Sequence, residues 1–219
     1  YTKESLQEKL FHDELASYDS PYNAGLIGRS ENLRLACLAI NGYVLKPGET
    51  FSFNGVVGER TAAKGYKEGG VYVGGETVQQ LGGGVCQVAS VLYYCTLKSD
   101  LEVIARQEHQ YVPDYIPWGM DATVSWGWPD FKFRNDAEYP VKIHAWVDEE
   151  TNECCVQILG TDVKHQYVLM QFNNWEVFDE TGTYFDANGN PLSVGMAAAT
   201  WRLVFNDGDD YNTATPISK

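Results

Sequence analysis

From Leu101 onward the chain falls into short runs of β-branched and aromatic residues, LEVIAR, HQYV, DATVSW, DFKFRN and YPVKIHAWV, separated by Pro, Gly or an Asn-Asp pair. Runs of that length with that punctuation predict antiparallel strands joined by turns, and leave no room for a long helix. In VKIHAWV, Val141, Ile143, Ala145 and Val147 share one face and Lys142, His144 and Trp146 the other, which is the period of a strand covered on one side. CCVQIL, YVLMQF and TWRLVF carry the β pattern through residues 153–205, with turns expected at DANGN and NDGDD.

Two segments ahead of this region have helical spacing instead. One runs from Ser30, the expected N-cap, through Leu33, Cys37 and Ile40 to Gly42, a helix stop. The other follows LGGG: in VCQVASVLYYCTLK, apolar positions recur at Val85, Val88, Ala89, Leu92, Tyr93 and Leu97 with no Pro or Gly between them. Between the two, Pro47-Gly48 marks a turn and Thr50 to Phe53 a short strand. GVVGERTAAKGYKEGGVYVGGE reads as a glycine-broken loop with a strand at Val71 to Val73, placed to form one wall of a cleft. The expected class is α+β, two helices packed on a mainly antiparallel β-sheet, followed by a smaller acidic β-rich C-terminal segment. The expected division is a lead-in over residues 1–28, a principal domain over 29–148 and an acidic extension over 149–219.

Charge narrows the partners. The 219 residues carry 16 basic and 30 acidic side chains, net −14, and the imbalance is uneven: residues 1–147 hold 13 basic and 18 acidic groups, residues 148–219 only 3 and 12. Such a chain repels nucleic-acid phosphates and anionic lipid surfaces, so no nucleic-acid partner is expected. No run is apolar enough to span a bilayer, so no membrane insertion within this chain is expected. The start, YTKESLQEKLFHDEL, lacks the pattern of a signal peptide, and any targeting segment is expected outside this chain.

The chemistry concentrates at LGGGVCQ. Gly82, Gly83 and Gly84 predict a backbone that must turn sharply or approach a neighbour closely. If a helix starts near Val85, Cys86 sits in its first turn, where unpaired amides and the macrodipole favour a thiolate. A thiol nucleophile needs a base and a group to orient that base; His109 and Asp121 follow in the right order. Backbone amides at the helix start, from Cys86 and Gln87, are candidate oxyanion donors, assisted by the Gln87 side chain and more weakly by Gln80.

Each residue also has a plainer reading: Cys86 as buried filler, His109 as a satisfied polar residue, Asp121 as a turn cap. Asp130 is the reserve acid and His144 a second base, with turn initiation and solvent exposure as their simpler explanations; His12 and His165 have no partner pattern. Tyr115, Trp118, Trp126 and Trp128, with Tyr111, form an aromatic cluster suited either to stacking on a sugar or peptide ligand or to packing.

No metal spacing of the CxxC or HxxxH kind occurs, and DANGNP departs from a calcium loop at the glycine position, so neither metal nor cofactor is expected. Cys86 and Cys95 lie on opposite faces of one helix and Cys154-Cys155 are adjacent in a strand, so neither pair forms a disulfide; Cys37 can meet another cysteine only through tertiary folding.

In order along the chain, LRLACLAINGYVLKPGETFSFNGVVGERTAAKGY, GGGVCQVASVLYY and HQYVPDYIPWGMDATVSWGWPDFKFRN resemble the VanW domain, a family named for an accessory protein of glycopeptide-resistance clusters. The resemblance covers roughly residues 29 to 147, and the ending TWRLVFNDGDDYNTATPISK is similar to the short β tail that often follows it. Arg106 and His109 stand in RQEHQ where the family often has Arg-His; Met120 replaces an arginine common before Asp-Ala-Thr. The resemblance implies a bacterial, extracytoplasmic protein of the cell envelope or outside it, with peptidoglycan or its peptide and glycan fragments as partners. The order Cys, His, acid is also that of transglutaminase-like and papain-like peptidases. The expectation is a cysteine-dependent hydrolase or transacylase acting on peptidoglycan peptide amides through Cys86, His109 and Asp121. The competing expectation is a non-catalytic binding or scaffolding module.

Overall fold

Helical spacing produces helices where expected, with one end displaced. The computed structural model describes residues 10–73, 76–172, 200–210 and 212–216. Helix α1 spans Ile27–Ile40, and its N-cap is Leu26, without a side-chain cap. Ser30 is therefore inside the first turn, where its hydroxyl donates to the Leu26 carbonyl at 3.2 Å rather than capping. A short helix, α2 (Phe53–Val57), is capped by Ser52 Oγ, which accepts from the Gly55 amide. Helix α3 spans Val85–Lys98 and buries most of its length, including the polar Gln87, Ser90 and Thr96.

The strands are β1 (Asp13–Pro21), β2 (Val44–Leu45), β3 (Thr50–Ser52), β4 (Glu68–Val73), β5 (Glu76–Leu81), β6 (Glu102–Ala105), β7 (Lys132–Arg134), β8 (Val141–Asp148), β9 (Glu153–Gly160), β10 (Gln166–Phe172) and β11 (Thr200–Asn206). They pair antiparallel throughout, in a four-stranded sheet of order β1-β9-β8-β2, a three-stranded sheet β3-β7-β6, and the hairpins β4-β5 and β10-β11. The α+β expectation holds. Helix α3 lies across β9 and β1, and α1 lies across β8.

The alternation in β8 does what its period requires: Val141, Ile143 and Ala145 are buried under the helices, whereas Lys142, His144 and Trp146 face outward. Phe51, Phe53, Phe131 and Phe133, all at 0% exposure, fill the junction with the second sheet. Burying each ring stabilises the fold by about 1.5–3 kcal/mol relative to leaving it in water.

The four-stranded sheet runs across both expected division points. β1 precedes residue 29, and β9, which follows residue 148, is hydrogen-bonded between β1 and β8. The DANGN turn lies outside the described residues.

Two expected strands are absent among the described residues. HQYV and DATVSW form loops between β6 and β7. Their backbone groups are diverted to side chains: Asp121 accepts the His109 amide, Arg106 donates to the Asp121 carbonyl, Ser90 Oγ accepts the Ala122 amide, and Cys86 Sγ contacts both the amide and the carbonyl of Val124. A segment whose donors and acceptors are engaged in this way has little left for a ladder.

Candidate functional site

The three glycines have separate jobs. Gly82 and Gly84 take φ of +78° and +102°, and a Cβ on either would stand 2.7 Å from Arg60 Cβ or 2.5 Å from Arg29 Cγ. A Cβ on Gly83 would meet the Gly69 carbonyl oxygen at 2.2 Å, so here two backbones cross in contact. Asn32, at 0% exposure on α1, clamps the crossing: its Nδ2 donates to the carbonyls of Gly83 and Lys67, and its Oδ1 accepts the Lys67 amide. The start of α3 is thereby fixed against α1 and β4.

Cys86 sits in the first turn of α3, half-buried, with its sulfur 3.4 Å from both the amide nitrogen and the carbonyl oxygen of Val124. Its N–H belongs to the first turn, which has no intrahelical acceptor. His109 stands beside the sulfur. Its Nδ1 donates to Asp121 Oδ2 at 2.6 Å, and its backbone amide donates to the same oxygen at 2.6 Å, so the ring is gripped at two points. That bond fixes Nε2 as the nitrogen left for the thiol side. Asp121 is 5% exposed and is oriented in turn by Arg106, whose Nη2 donates to Oδ1 at 2.9 Å and whose Nε donates to the Asp121 carbonyl at 2.7 Å.

The charges follow from these contacts. Burial pushes the Cys86 thiol up, but hydrogen bonding and charge from His109, the Val124 amide and the Arg60 guanidinium outweigh it, and the net shift is downward. Burial pushes His109 down, yet Asp121 and the Cys86 thiolate together raise it to about 9. Burial raises Asp121, and His109 with Arg106 reverse this and hold it below its ordinary value. These contacts favour a thiolate beside an imidazolium. By contrast, burial and neighbouring acids push Cys95 and Cys155 up, and the neighbouring Cys37 thiol together with burial pushes Cys154 up. All five thiols are free, although Cys37 and Cys154 meet through the core at 3.7 Å between sulfurs.

Other expected contributors are placed elsewhere. The Gln87 side chain, at 0% exposure, turns toward β1: Nε2 donates to Ser20 Oγ and the Pro21 carbonyl, and Oε1 accepts from Arg29. Its amide donates to the Gly84 carbonyl, and the Gly82 and Gly83 amides donate to Lys67 and Gln80, so these groups close a turn rather than form an oxyanion pocket. Gln80 is exposed on β5. Asp130 accepts from Ser52 Oγ and the Asn54 amide, which makes it a cap for α2. His144 pairs with Gln157 and stacks near Trp146 on the outer face of the sheet.

Trp118, Trp126 and Trp128 are 50%, 54% and 76% exposed on the loops flanking Asp121 and Val124, whereas Tyr115 is half-buried with its hydroxyl 3.5 Å from His109 Nε2. Among the described residues, converging metal-ligand atoms occur only at Asp162, His165 and Asp207, all exposed beside the β10-β11 hairpin; Asp162 Oδ1 already accepts the amides of Lys164 and His165.

Sequence reading overlooked Ser90 and Arg60. Ser90 lies one turn after Cys86 on the same face of α3, a spacing that brings it to Ala122 beside Asp121. Arg60, in a glycine-broken loop, has no periodic signal.

The family model described as VanW like protein matches residues 28–158. The chain is 44% identical over 132 residues to uncharacterized protein YoaR of Bacillus subtilis strain 168, covering 60% of this chain and 44% of that protein. It is 34% identical over 157 residues to vancomycin B-type resistance protein VanW of Enterococcus faecalis strain V583, covering 68% of this chain and 57% of that protein. The chain therefore spans roughly half the length of each of these relatives. No solved structure matches it.

Proposed function

Since this chain belongs to the VanW family, we propose that it is an extracytoplasmic envelope protein that hydrolyses or transfers peptide amides of peptidoglycan through a Cys86 thioester. The observation that carries this reading is the continuous polar line from Arg106 through Asp121 to His109, ending beside a thiol whose own shift is downward. A buried structural cysteine shifts upward, as Cys95 does. The relative from Enterococcus bears the name of a vancomycin resistance protein, which supports cell-wall peptides as the substrate class.

In the proposed reaction the Cys86 thiolate attacks the carbonyl carbon of the amide, forming the C–S bond as the carbonyl electron pair moves onto oxygen. When that pair returns, the C–N bond breaks and the leaving amine takes the proton from His109 Nε2. The neutral imidazole then removes a proton from water or an acceptor amine as it attacks the thioester, releasing the thiolate. Asp121 keeps the ring in the tautomer and orientation both steps need.

The second reading is a binding module, supported by the three exposed tryptophans on the loops that carry Asp121 and Val124. Incubating wild type and Cys86→Ala with muropeptides separates the two. New cross-linked or trimmed products with wild type alone support the enzyme; identical product profiles leave the binding module.

A further inference from the structure

With Gln87 turned toward β1, a carbonyl attacked by Cys86 has one first-turn amide, its own, to receive the developing charge. The Val124 amide is engaged with the sulfur itself, and a side-chain hydroxyl stands at the imidazole. Resting on the thiol reading above, we infer that the Tyr115 hydroxyl is a catalytic hydrogen-bond donor to the oxyanion, and that Ser20 and Gln87 are positioning residues that hold it there.

The geometry is specific. The Tyr115 hydroxyl is 3.5 Å from His109 Nε2, with the two rings edge to face at 6.4 Å between centroids. While the imidazole is protonated, Nε2 is a donor and the phenol oxygen accepts from it, so the phenol proton is not spent on the ring. Apart from Ser90, which also reaches the hydroxyl, the phenol proton is available to a carbonyl oxygen arriving at the thiol–imidazole pair. Burial, followed by the negative charge on Cys86, holds the phenol above its ordinary range, so it remains a donor throughout the working range.

The second observation is how Tyr115 is held. Arg29 Nη2 donates to Gln87 Oε1 at 2.7 Å, Gln87 Nε2 donates to Ser20 Oγ at 2.7 Å, and Ser20 Oγ donates to the Tyr115 carbonyl at 2.6 Å. Gln87 and Ser20 are both at 0% exposure, and the Arg29 guanidinium lies 5.9 Å from the centroid of the Tyr115 ring. The residue after the nucleophile thus reaches through β1 to the loop that carries the phenol. This accounts for the buried Gln87 side chain: through Ser20 it ties the loop that carries the hydroxyl to the start of α3. No proton leaves Tyr115. It lends a hydrogen bond while the oxygen is charged and keeps its own O–H when the carbonyl re-forms.

Two reagents that share the thiolate but differ in transition state test this without knowledge of the natural substrate. Acylation of Cys86 by p-nitrophenyl acetate passes through an oxyanion; alkylation by iodoacetamide does not. In Tyr115→Phe, which retains the ring, acylation falls by about 10²-fold, the size of one lost oxyanion donor, and alkylation stays within about twofold. Ser20→Ala, which keeps the phenol but frees its carbonyl, lowers acylation in the same direction by less. In unmodified protein, the ratio of acylation to alkylation exceeds that of free cysteine by about tenfold or more. Equal effects on both reagents in Tyr115→Phe, or a ratio in unmodified protein matching free cysteine, overturn the assignment while leaving a reactive thiol in place. Slow reaction of unmodified protein with both reagents overturns the thiol reading itself, and this assignment with it.

Discussion

A carboxylate held by two donors and an imidazole held by that carboxylate form a chain in which each member fixes the next. Asp121 contributes most to this order, because it accepts from His109 twice and from Arg106 once. Its folded pKa is depressed by those donors. The stability it contributes is therefore fully present above its unfolded value of about 4 and is lost as pH falls through the lower folded value. Asp121→Asn is expected to be less stable than wild type near pH 6, with the gap closing toward pH 2, as measured by denaturant melts across that range. Arg106→Ala leaves the carboxylate buried with one charge partner fewer. The cost is expected to be about 2 kcal/mol, under the roughly 3–5 kcal/mol of a fully buried pair because Arg106 retains contact with water. The proposed amide cleavage requires the thiolate and the imidazolium together. Its rate is expected to rise through the lowered thiol value and to fall again through about pH 9, where His109 loses its proton; a rate still rising beyond that point contradicts the assigned general acid.

At the scale of elements, the site depends on a backbone crossing more than on any strand. Gly83 touches the Gly69 backbone, and Asn32 bonds both sides of the contact. Gly83→Ala is expected to destabilise by about 1–3 kcal/mol through overpacking and to slow alkylation of Cys86, because α3 must start elsewhere. Asn32→Leu, similar in volume, leaves the Gly83 carbonyl and the Lys67 amide without this partner, while the Lys67 carbonyl keeps the Gly82 amide, and is expected to cost about 2–3 kcal/mol by the same melt. A change below 0.5 kcal/mol in either variant contradicts the clamp. The glycine triplet, the α3 spacing and the order of Cys86, His109 and Asp121 were legible in the sequence because each is a local signal. Asn32 was not, since a buried asparagine on an amphipathic helix reads as an ordinary polar position until its partners are known. The loops at HQYV and DATVSW were misread as strands for a related reason: their composition is β-like, but side chains of α3 and Arg106 take the backbone groups that a ladder would use.

For the molecule as a whole, α1 and α3 on one face of the four-stranded sheet provide a rigid support, and the loops between β6 and β7 carry His109, Asp121 and the exposed tryptophans. Alternation in β8 made that support readable, whereas the inclusion of β1 and β9 in the same sheet depended on pairings far apart in sequence. Among the described residues no helix is long and apolar enough to cross a membrane. Trp126→Ala and Trp128→Ala, on a loop surface, are expected to change stability by less than about 0.5 kcal/mol and to weaken co-sedimentation with insoluble peptidoglycan. Unchanged co-sedimentation removes these rings from any wall-binding role.

The most direct measurement is the pH dependence of Cys86 alkylation by iodoacetamide in wild type and in His109→Ala. The account predicts a half-point below the ordinary thiol range in wild type, moving above that range in the variant, where burial is no longer opposed by the imidazolium. A wild-type half-point at or above that of a free thiol, unmoved by the loss of His109, contradicts it.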